Sequence, residues 1–107
     1  MSGDYLIVLT TLPDAASAER MANELVEKKL AACVNIHGAM TSIYPWEGRI
    51  ERGSEHQLVI KTTARRYPEL EAFLEARHPY RLPEILALPV ATGASDYLEW
   101  IDTCTSD

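Results

Sequence analysis

The side chains that could do chemistry do not form a recognisable catalytic set. His78 and Glu84 could serve as a general acid and a general base, because both types of side chain can exchange protons with a substrate. The sequence shows no combination of nucleophile, base and orienting group, and no glycine-rich loop that would hold a phosphate. We therefore predict that the protein is not an enzyme.

Cys33 and Lys61 are chemically active residues that stand in apolar runs. Cys33 follows two alanines, which is typical of a small buried thiol, whereas a reactive thiol needs a positive charge nearby that Lys61 could supply. Lys61 itself continues an apolar strand, so it either pairs with Glu84 or helps to line a polar pocket. We predict that Cys33 is buried and inert in the assembled protein, and we leave both interpretations of Lys61 open.

Composition sets the broad class of the protein. The chain has 107 residues, of which 47% are hydrophobic, so residues 1–107 are predicted to form one globular domain. Sixteen acidic residues against ten basic ones give a net charge of −6, which argues against nucleic acid as a partner. No apolar stretch approaches the roughly 20 residues of a membrane span, and no signal-peptide pattern is present. Two cysteines without disulfide-type spacing complete the expectation of a cytoplasmic protein without a membrane partner.

Apolar runs predict the strands. Residues 5–12, 57–63 and 85–90 are rich in branched apolar side chains, and a long strand is expected over residues 32–44. Gly38 is a natural site for a bulge within the long strand. Pro45 and Pro89 lack a backbone N–H, so both are expected at bulges or on edge strands.

Helices are predicted between these strands. Asp14 can cap a helix with apolar positions at three- and four-residue intervals, and a second helix starts near Pro68 and ends by His78. Ser95 or Asp96 is expected to cap a short final helix. The resulting order predicts an α+β fold, namely a ferredoxin-like split βαββαβ sandwich with both helices on one face of an antiparallel sheet.

The long strand, its turn at residues 46–49 and the start of a partner strand through Glu51 predict a hairpin that protrudes from the domain. At about 3.3 Å per residue, residues 32–44 span roughly 40 Å, while a compact chain of this length has a radius of gyration near ~13 Å. Such a ribbon cannot bury its own apolar side chains, so we expect the protein to oligomerise. Tyr44, Trp46 and Trp100 are predicted to pack at the interface between subunits.

Several blocks of sequence resemble one known family, the CutA or divalent-cation-tolerance proteins. The blocks cover nearly the whole chain and are Thr10-Thr11-Leu12-Pro13, Lys29-Leu30-Ala31-Ala32-Cys33-Val34-Asn35-Ile36, Ser42-Ile43-Tyr44 with Trp46-Glu47-Gly48, Lys61-Thr62-Thr63, His78-Pro79-Tyr80 with Pro83-Glu84-Ile85, and Tyr97-Leu98 with Trp100. The resemblance implies a ferredoxin-like subunit in a homotrimer built like the PII signalling proteins. It also implies an association with tolerance to copper and other heavy metals.

The resemblance bears on metal binding at three positions. The copper-linked pattern of the family has a thiol on the first strand and two adjacent histidines before Pro-Tyr, whereas this chain has Thr10 and Arg77-His78 there. Only His78 matches, so we predict His78 as a metal ligand that binds copper or another divalent cation weakly. Alternatively, His78 simply ends the second helix, where a positive imidazolium interacts favourably with the helix dipole.

The trimer implied by the resemblance would also create a pocket between subunits. We assign Cys33, Lys61, Tyr80 and Glu84 to this inter-subunit pocket. The predicted function is divalent-cation tolerance by a trimeric protein with weak metal binding. The alternative is a PII-like sensor or regulator that binds a small metabolite or a small anion in the same pocket.

Overall fold

The computed structural model describes residues 4–107 and has a mixed α+β fold, as predicted. Within that range the chain forms three helices and a four-stranded antiparallel sheet. The elements in chain order are β1 Tyr5–Leu12, α1 Ala15–Glu27, β2 Cys33–Trp46, β3 Arg49–Thr63, α2 Tyr67–Arg77, β4 Leu86–Pro89 and α3 Ser95–Cys104. Across residues 4–107, no helix has both the length and the apolar character needed to cross a membrane.

The sheet has the strand order β2-β3-β1-β4, so β2 and β4 are its two edges. β1 pairs along its whole length with β3, from Tyr5 opposite Thr63 to Leu12 opposite His56, and over four residues with β4. Pro45 lies on the edge strand β2 and Pro89 on the edge strand β4, which confirms both proline predictions.

The hairpin formed by β2 and β3 is longer than predicted. The start of the partner strand through Glu51 is confirmed. We expected a separate third strand from Gln57, but β3 runs without a break from Arg49 to Thr63, because cross-strand pairing with β2 satisfies its polar outer half. Glu47 and Gly48, with φ of 49° and 81°, form the two-residue loop that joins the arms. The register shifts between His37 and Met40, which confirms the irregularity predicted at Gly38.

The helices α1 and α2 share one core with one face of the sheet. Asp14 caps α1 by accepting a hydrogen bond from the Ser17 backbone N–H at 2.7 Å, as predicted. The core contains buried side chains from both helices and from β1 and β3, including Met21, Leu25, Leu70, Leu74, Val8, Leu12, Leu58 and Ile60. Helix α3 begins after Ala94 without a side-chain cap, so the predicted capping by Ser95 or Asp96 is wrong.

Large apolar side chains remain exposed on the hairpin, on β4 and on α3. Ile43 and Ile50 near the hairpin tip are 61% and 73% exposed, and Leu86 on β4 is 56% exposed. Tyr44, Trp46 and Trp100, which we predicted at a subunit interface, are also exposed. The isolated chain therefore leaves both edges of its sheet and several large apolar side chains uncovered.

Candidate functional site

An open cleft of about 880 Å³ lies between the outer half of the hairpin and the segment that connects α2 to β4. Its walls come from the end of β1, both arms of the hairpin and the connection itself. The lining residues are Thr11, Ser42, Ile43, Tyr44, Pro45, Trp46, Gly53, Ser54, Glu55, Pro79, Tyr80, Arg81, Leu82 and Glu84.

The connection between α2 and β4 is held in place by prolines and by hydrogen bonds of His78 and Tyr80. His78 adopts an extended conformation with ψ of 136°, because the following Pro79 disfavours helical geometry, and α2 ends there. The Tyr80 hydroxyl donates to Glu55 Oε2 on β3 at 2.8 Å. The turn of the chain after α2 and the hairpin are thus joined at the floor of the cleft.

Glu55 carries the main negative charge of the cleft. Burial alone would raise the pKa of this carboxyl, but hydrogen bonds from Ser42, Tyr80 and Thr11 outweigh it, so the pKa of Glu55 lies below its ordinary value. Burial and the hydrogen bond to Glu55 raise the pKa of Tyr80, so the phenol stays protonated and donates. Glu55 is therefore an oriented, ionised carboxylate.

Glu84 is the second carboxylate of the cleft, and its surroundings differ from those of Glu55. Burial, and then the negative charge of Glu55, raise the pKa of Glu84. Neither Glu55 nor Glu84 takes part in any ion pair formed within residues 4–107. The cleft therefore holds two acidic groups that repel each other and have no cationic side chain from this range paired with them.

His78 lies behind Tyr80, with ring centroids 4.9 Å apart, and both of its nitrogens are engaged. The Tyr80 backbone N–H donates to Nδ1 at 3.1 Å, so the ring hydrogen is assigned to Nε2, which donates to the Thr11 carbonyl oxygen at 2.8 Å. Burial lowers the pKa of His78 more than its contacts with Thr11 and Glu55 raise it, which favours the neutral ring. A metal ion would have to displace one of these hydrogen bonds to reach a nitrogen lone pair.

The two other positions of the copper-linked pattern lie on different sides of His78. Thr10 Oγ1 is 3.2 Å from His78 Nε2, so the first strand does approach the end of the second helix. Arg77 turns away, binding Glu24 at 2.9 Å and covering the Phe73 ring at 4.9 Å. Residues 4–107 contain no group of three or more His, Cys, Asp or Glu side chains arranged to hold a metal ion, so the metal role of His78 stays a prediction.

The four residues assigned to an inter-subunit pocket are not brought together within one subunit. Tyr80 and Glu84 line the cleft, whereas Cys33 and Lys61 are cross-strand partners near the other end of the sheet. Lys61 Nζ lies 3.8 Å from Cys33 Sγ and also donates to Asn35 Oδ1. Cys33 is half-buried in the isolated chain, where it starts an edge strand that no further strand covers, so its burial in an assembled protein stays a prediction.

Glu55 is the functional candidate that the sequence did not reveal. It lies between the predicted turn and the predicted third strand, in a stretch to which no element was assigned. The bulge in β2 places Glu55 opposite Met40, and the fold of the connection after α2 brings Tyr80 to it. Residues 51–55, Glu-Arg-Gly-Ser-Glu, show no apolar alternation that would have indicated a strand.

Nearly the whole length of the chain matches one known protein family. The model of the family described as CutA1 divalent ion tolerance protein matches residues 6–104. The divalent-cation tolerance protein CutA of Thermus thermophilus is 46% identical over 95 residues, which cover 89% of this chain and 92% of that protein. The protein of the same name from Pectobacterium atrosepticum is 46% identical over 99 residues, covering 92% and 90%.

Solved structures agree with the sequence relatives. CutA1 from a psychrotrophic Shewanella superposes with a TM-score of 0.95 at 40% identity, covering 100% of both chains. CutA from Xylella fastidiosa gives a TM-score of 0.94 at 43% identity, covering 96% of this chain and 99% of that one. The family predicted from the sequence blocks is thereby confirmed, and the chain belongs to the CutA1 divalent ion tolerance protein family.

Proposed function

We propose that this divalent-cation tolerance protein works as a homotrimer of ferredoxin-like subunits that binds divalent cations only weakly. The strand order β2-β3-β1-β4, with α1 and α2 packed in one core, supports the ferredoxin-like arrangement. The names of its family and relatives describe cation tolerance rather than a reaction, which supports a protein that is not an enzyme.

The exposed apolar surface supports the trimer. A hairpin with 14- and 15-residue arms presents Ile43, Tyr44, Trp46 and Ile50 to solvent, and both edges of the sheet have unpaired backbone groups. Neighbouring copies can cover these groups in a closed ring, because one surface of each subunit then contacts a different surface of the next.

The observation that carries weak metal binding is the engagement of both His78 nitrogens. Binding copper(II) through this imidazole costs one hydrogen bond, either from the Tyr80 N–H or to the Thr11 carbonyl. The neighbouring group is the alcohol of Thr10, a poor ligand for copper compared with a thiolate. A single imidazole whose two nitrogens are already hydrogen-bonded, with only an alcohol beside it, binds copper(II) with low affinity.

Isothermal titration with copper(II) tests this proposal. We expect weak binding that is lost in His78→Ala and strengthened in Thr10→Cys, because the new sulfur would lie close to Nε2. Arg77→His serves as the matched control and should change little, since Arg77 faces Glu24 and Phe73. Tight binding by the unmodified protein that survives His78→Ala would show that the metal site lies elsewhere.

A second candidate is a PII-like sensor that binds a small metabolite in the cleft. The volume of about 880 Å³ favours it, because a bare metal ion needs far less space. Glu55 and Glu84 make an anionic metabolite the less favourable choice. A melting temperature that rises with a neutral or cationic metabolite but not with copper(II) would support the sensor, and a rise with copper(II) alone would support the metal-binding protein. A rise with ATP would show that the sensor binds an anion in spite of these two carboxylates.

A further inference from the structure

The sheet narrows to two strands where β1 ends. β1 pairs with β3 as far as Leu12 opposite His56, and beyond that point the outer hairpin, residues 40–55, consists of β2 and β3 alone. A two-stranded ribbon is marginally stable by itself and twists strongly. Contacts at its base must therefore set the direction in which the outer hairpin projects.

The bulge in β2 lies at the same boundary. The register shift between His37 and Met40 places two residues of β2, Gly38 and Ala39, opposite the single residue His56 of β3. Two residues opposite one bend the bulged strand and increase its twist. The bulge thus gives the outer hairpin its own direction relative to the rest of the sheet.

One face of this boundary is held by packing. The His56 imidazole lies so close to the Gly38 backbone that a β-carbon at position 38 would overlap its Cδ2 atom. The Nδ1 atom of His56 is buried and has no hydrogen-bond partner among residues 4–107, so packing rather than polar contact holds this nitrogen in place. Any change in the bend would have to displace the ring.

The opposite face is held by hydrogen bonds. Glu55 directly precedes His56 and therefore points to the other face of β3, because successive side chains of a strand alternate. The Glu55 carboxylate accepts hydrogen bonds from the hydroxyl groups of Ser42 on β2, Thr11 at the end of β1 and Tyr80, the last at 2.8 Å. Three separate segments are thus tied to one residue at the base of the outer hairpin.

The connection after α2 braces the hairpin because it is itself anchored to β1. β4 pairs with β1 only as far as Leu9, and beyond that point His78 Nε2 donates to the Thr11 carbonyl oxygen at 2.8 Å. Arg81 contacts the hairpin nearer its tip, with the guanidinium 5.7 Å from the centroid of the Trp46 ring. The connection therefore joins the end of β1 to both the base and the tip of the outer hairpin.

We propose that the contacts on the two faces of β3 act as a clamp, which fixes the angle at which the outer hairpin meets a neighbouring subunit. The clamp consists of Glu55, Tyr80, His56 and Gly38. This inference rests on the proposed homotrimer and names the residues that align each hairpin for it. A ring closes only if every contact has the same suitable angle, whereas other angles give open assemblies. Tyr80 is thus a positioning residue, which acts on assembly through the direction of the hairpin.

Tyr80→Phe tests the clamp with the smallest change, because it removes only the hydroxyl that binds Glu55. We expect backbone amides of the outer hairpin to exchange hydrogen at least about tenfold faster, since a hydrogen bond to a charged group is lost. Amides of α1 and β1 should exchange at unchanged rates, and far-UV dichroism should stay the same. Tyr67→Phe is the matched control, because its hydroxyl lies on α2 outside the cleft.

Assembly gives a second measurement on the same variants. Because only an aligned hairpin fits its neighbour, Tyr80→Phe should raise the protein concentration at which the trimer dissociates by at least about threefold. Local loosening of the hairpin does not depend on protein concentration, whereas exchange through dissociated subunits does. Hydrogen exchange is therefore measured at two concentrations that both keep the protein assembled, and the faster rate should be the same at both.

Gly38→Ala tests the other face, because the added methyl group must push the His56 ring aside. It should also speed exchange in the outer hairpin, and Tyr80→Phe decides the outcome if this variant does not fold. Unchanged exchange of the outer hairpin in Tyr80→Phe, or an unchanged dissociation concentration, would overturn the clamp while leaving the trimer intact. A monomeric unmodified protein would instead refute the trimer, and exchange in that monomer would still show whether Tyr80 holds the hairpin.

Discussion

His78 illustrates how far residue type alone predicts a site. The sequence identified an imidazole before Pro-Tyr as a candidate ligand, but not that the following residues would fold back and use its lone pair. Tyr80 supplies both the backbone N–H that occupies Nδ1 and the hydroxyl that orients Glu55. Tyr80 thus determines the hydrogen bonding of both the His78 imidazole and the Glu55 carboxylate, through contacts that residue spacing does not reveal.

Glu84 gives a prediction about stability. Because the pKa of Glu84 is raised in the folded protein, the stability linked to it is fully present below the ordinary pKa and is lost as pH rises through the raised value. Glu84→Gln should therefore increase the free energy of unfolding at neutral pH, by less than about 1 kcal/mol because solvent screens an exposed charge. Chemical denaturation at pH 7 and at pH 4 checks this, with Glu75→Gln as control. An equal increase in the free energy of unfolding at both pH values would show that the ionised Glu84 carboxylate is not the cause.

At the scale of elements, local patterns predicted most of the sheet and helices. Apolar runs, the Asp14 cap and the prolines identified β1, α1, α2 and β4. Residues 52–56 of β3 were missed because they have no core to face, and only pairing with β2 makes them a strand. The length of a strand in a protruding hairpin depends on pairing with its partner strand. A pattern of buried positions in the sequence therefore does not predict that length.

The hairpin loop gives a test of backbone geometry. Gly48 has φ of 81°, and no atom lies within 4 Å of the place that an alanine β-carbon would occupy, so Gly48→Ala would cost strain without a clash. We expect a loss of about 1 kcal/mol in unfolding free energy. Gly53→Ala is the matched control on the same hairpin, because its added methyl would make only ordinary contacts with Tyr44. Equal losses in the two variants, measured by urea denaturation, would argue against the turn geometry.

Trp46 tests the role of the hairpin as an assembly element. It is 38% exposed on the edge strand in an isolated subunit, so Trp46→Ala removes little from the core of that subunit. We expect dissociation at protein concentrations where the unmodified protein stays assembled, with a largely unchanged far-UV dichroism spectrum. Size-exclusion chromatography over a dilution series measures the first effect, and Trp46→Phe should retain most of the assembly. Collapse of the secondary structure with assembly intact would mean that Trp46 stabilises the subunit instead.

At the scale of the whole molecule, the chain is elongated, with extents of 45 × 26 × 22 Å and a radius of gyration of 14.4 Å. The sequence predicted the protruding hairpin from strand length, but it did not predict the cleft. Three segments distant in sequence form the cleft: the end of β1, the hairpin after the bulge, and the connection after α2. Their meeting depends on the register of β2 against β3, which shifts between His37 and Met40.

The same shape underlies the central claim that several copies share their exposed apolar surfaces. A 12.0 kDa chain with two open sheet edges exposes large apolar side chains such as Ile43, Tyr44 and Ile50 along its hairpin, and a surface of this kind is typical of a protein interface. Trimerisation would cover this surface and place the cleft near a neighbouring subunit.

Light scattering coupled to size-exclusion chromatography at micromolar concentration tests this claim most directly. We predict a single species with three times the mass of the 12.0 kDa chain, unchanged on moderate dilution. A species with the mass of one chain would contradict the proposed assembly.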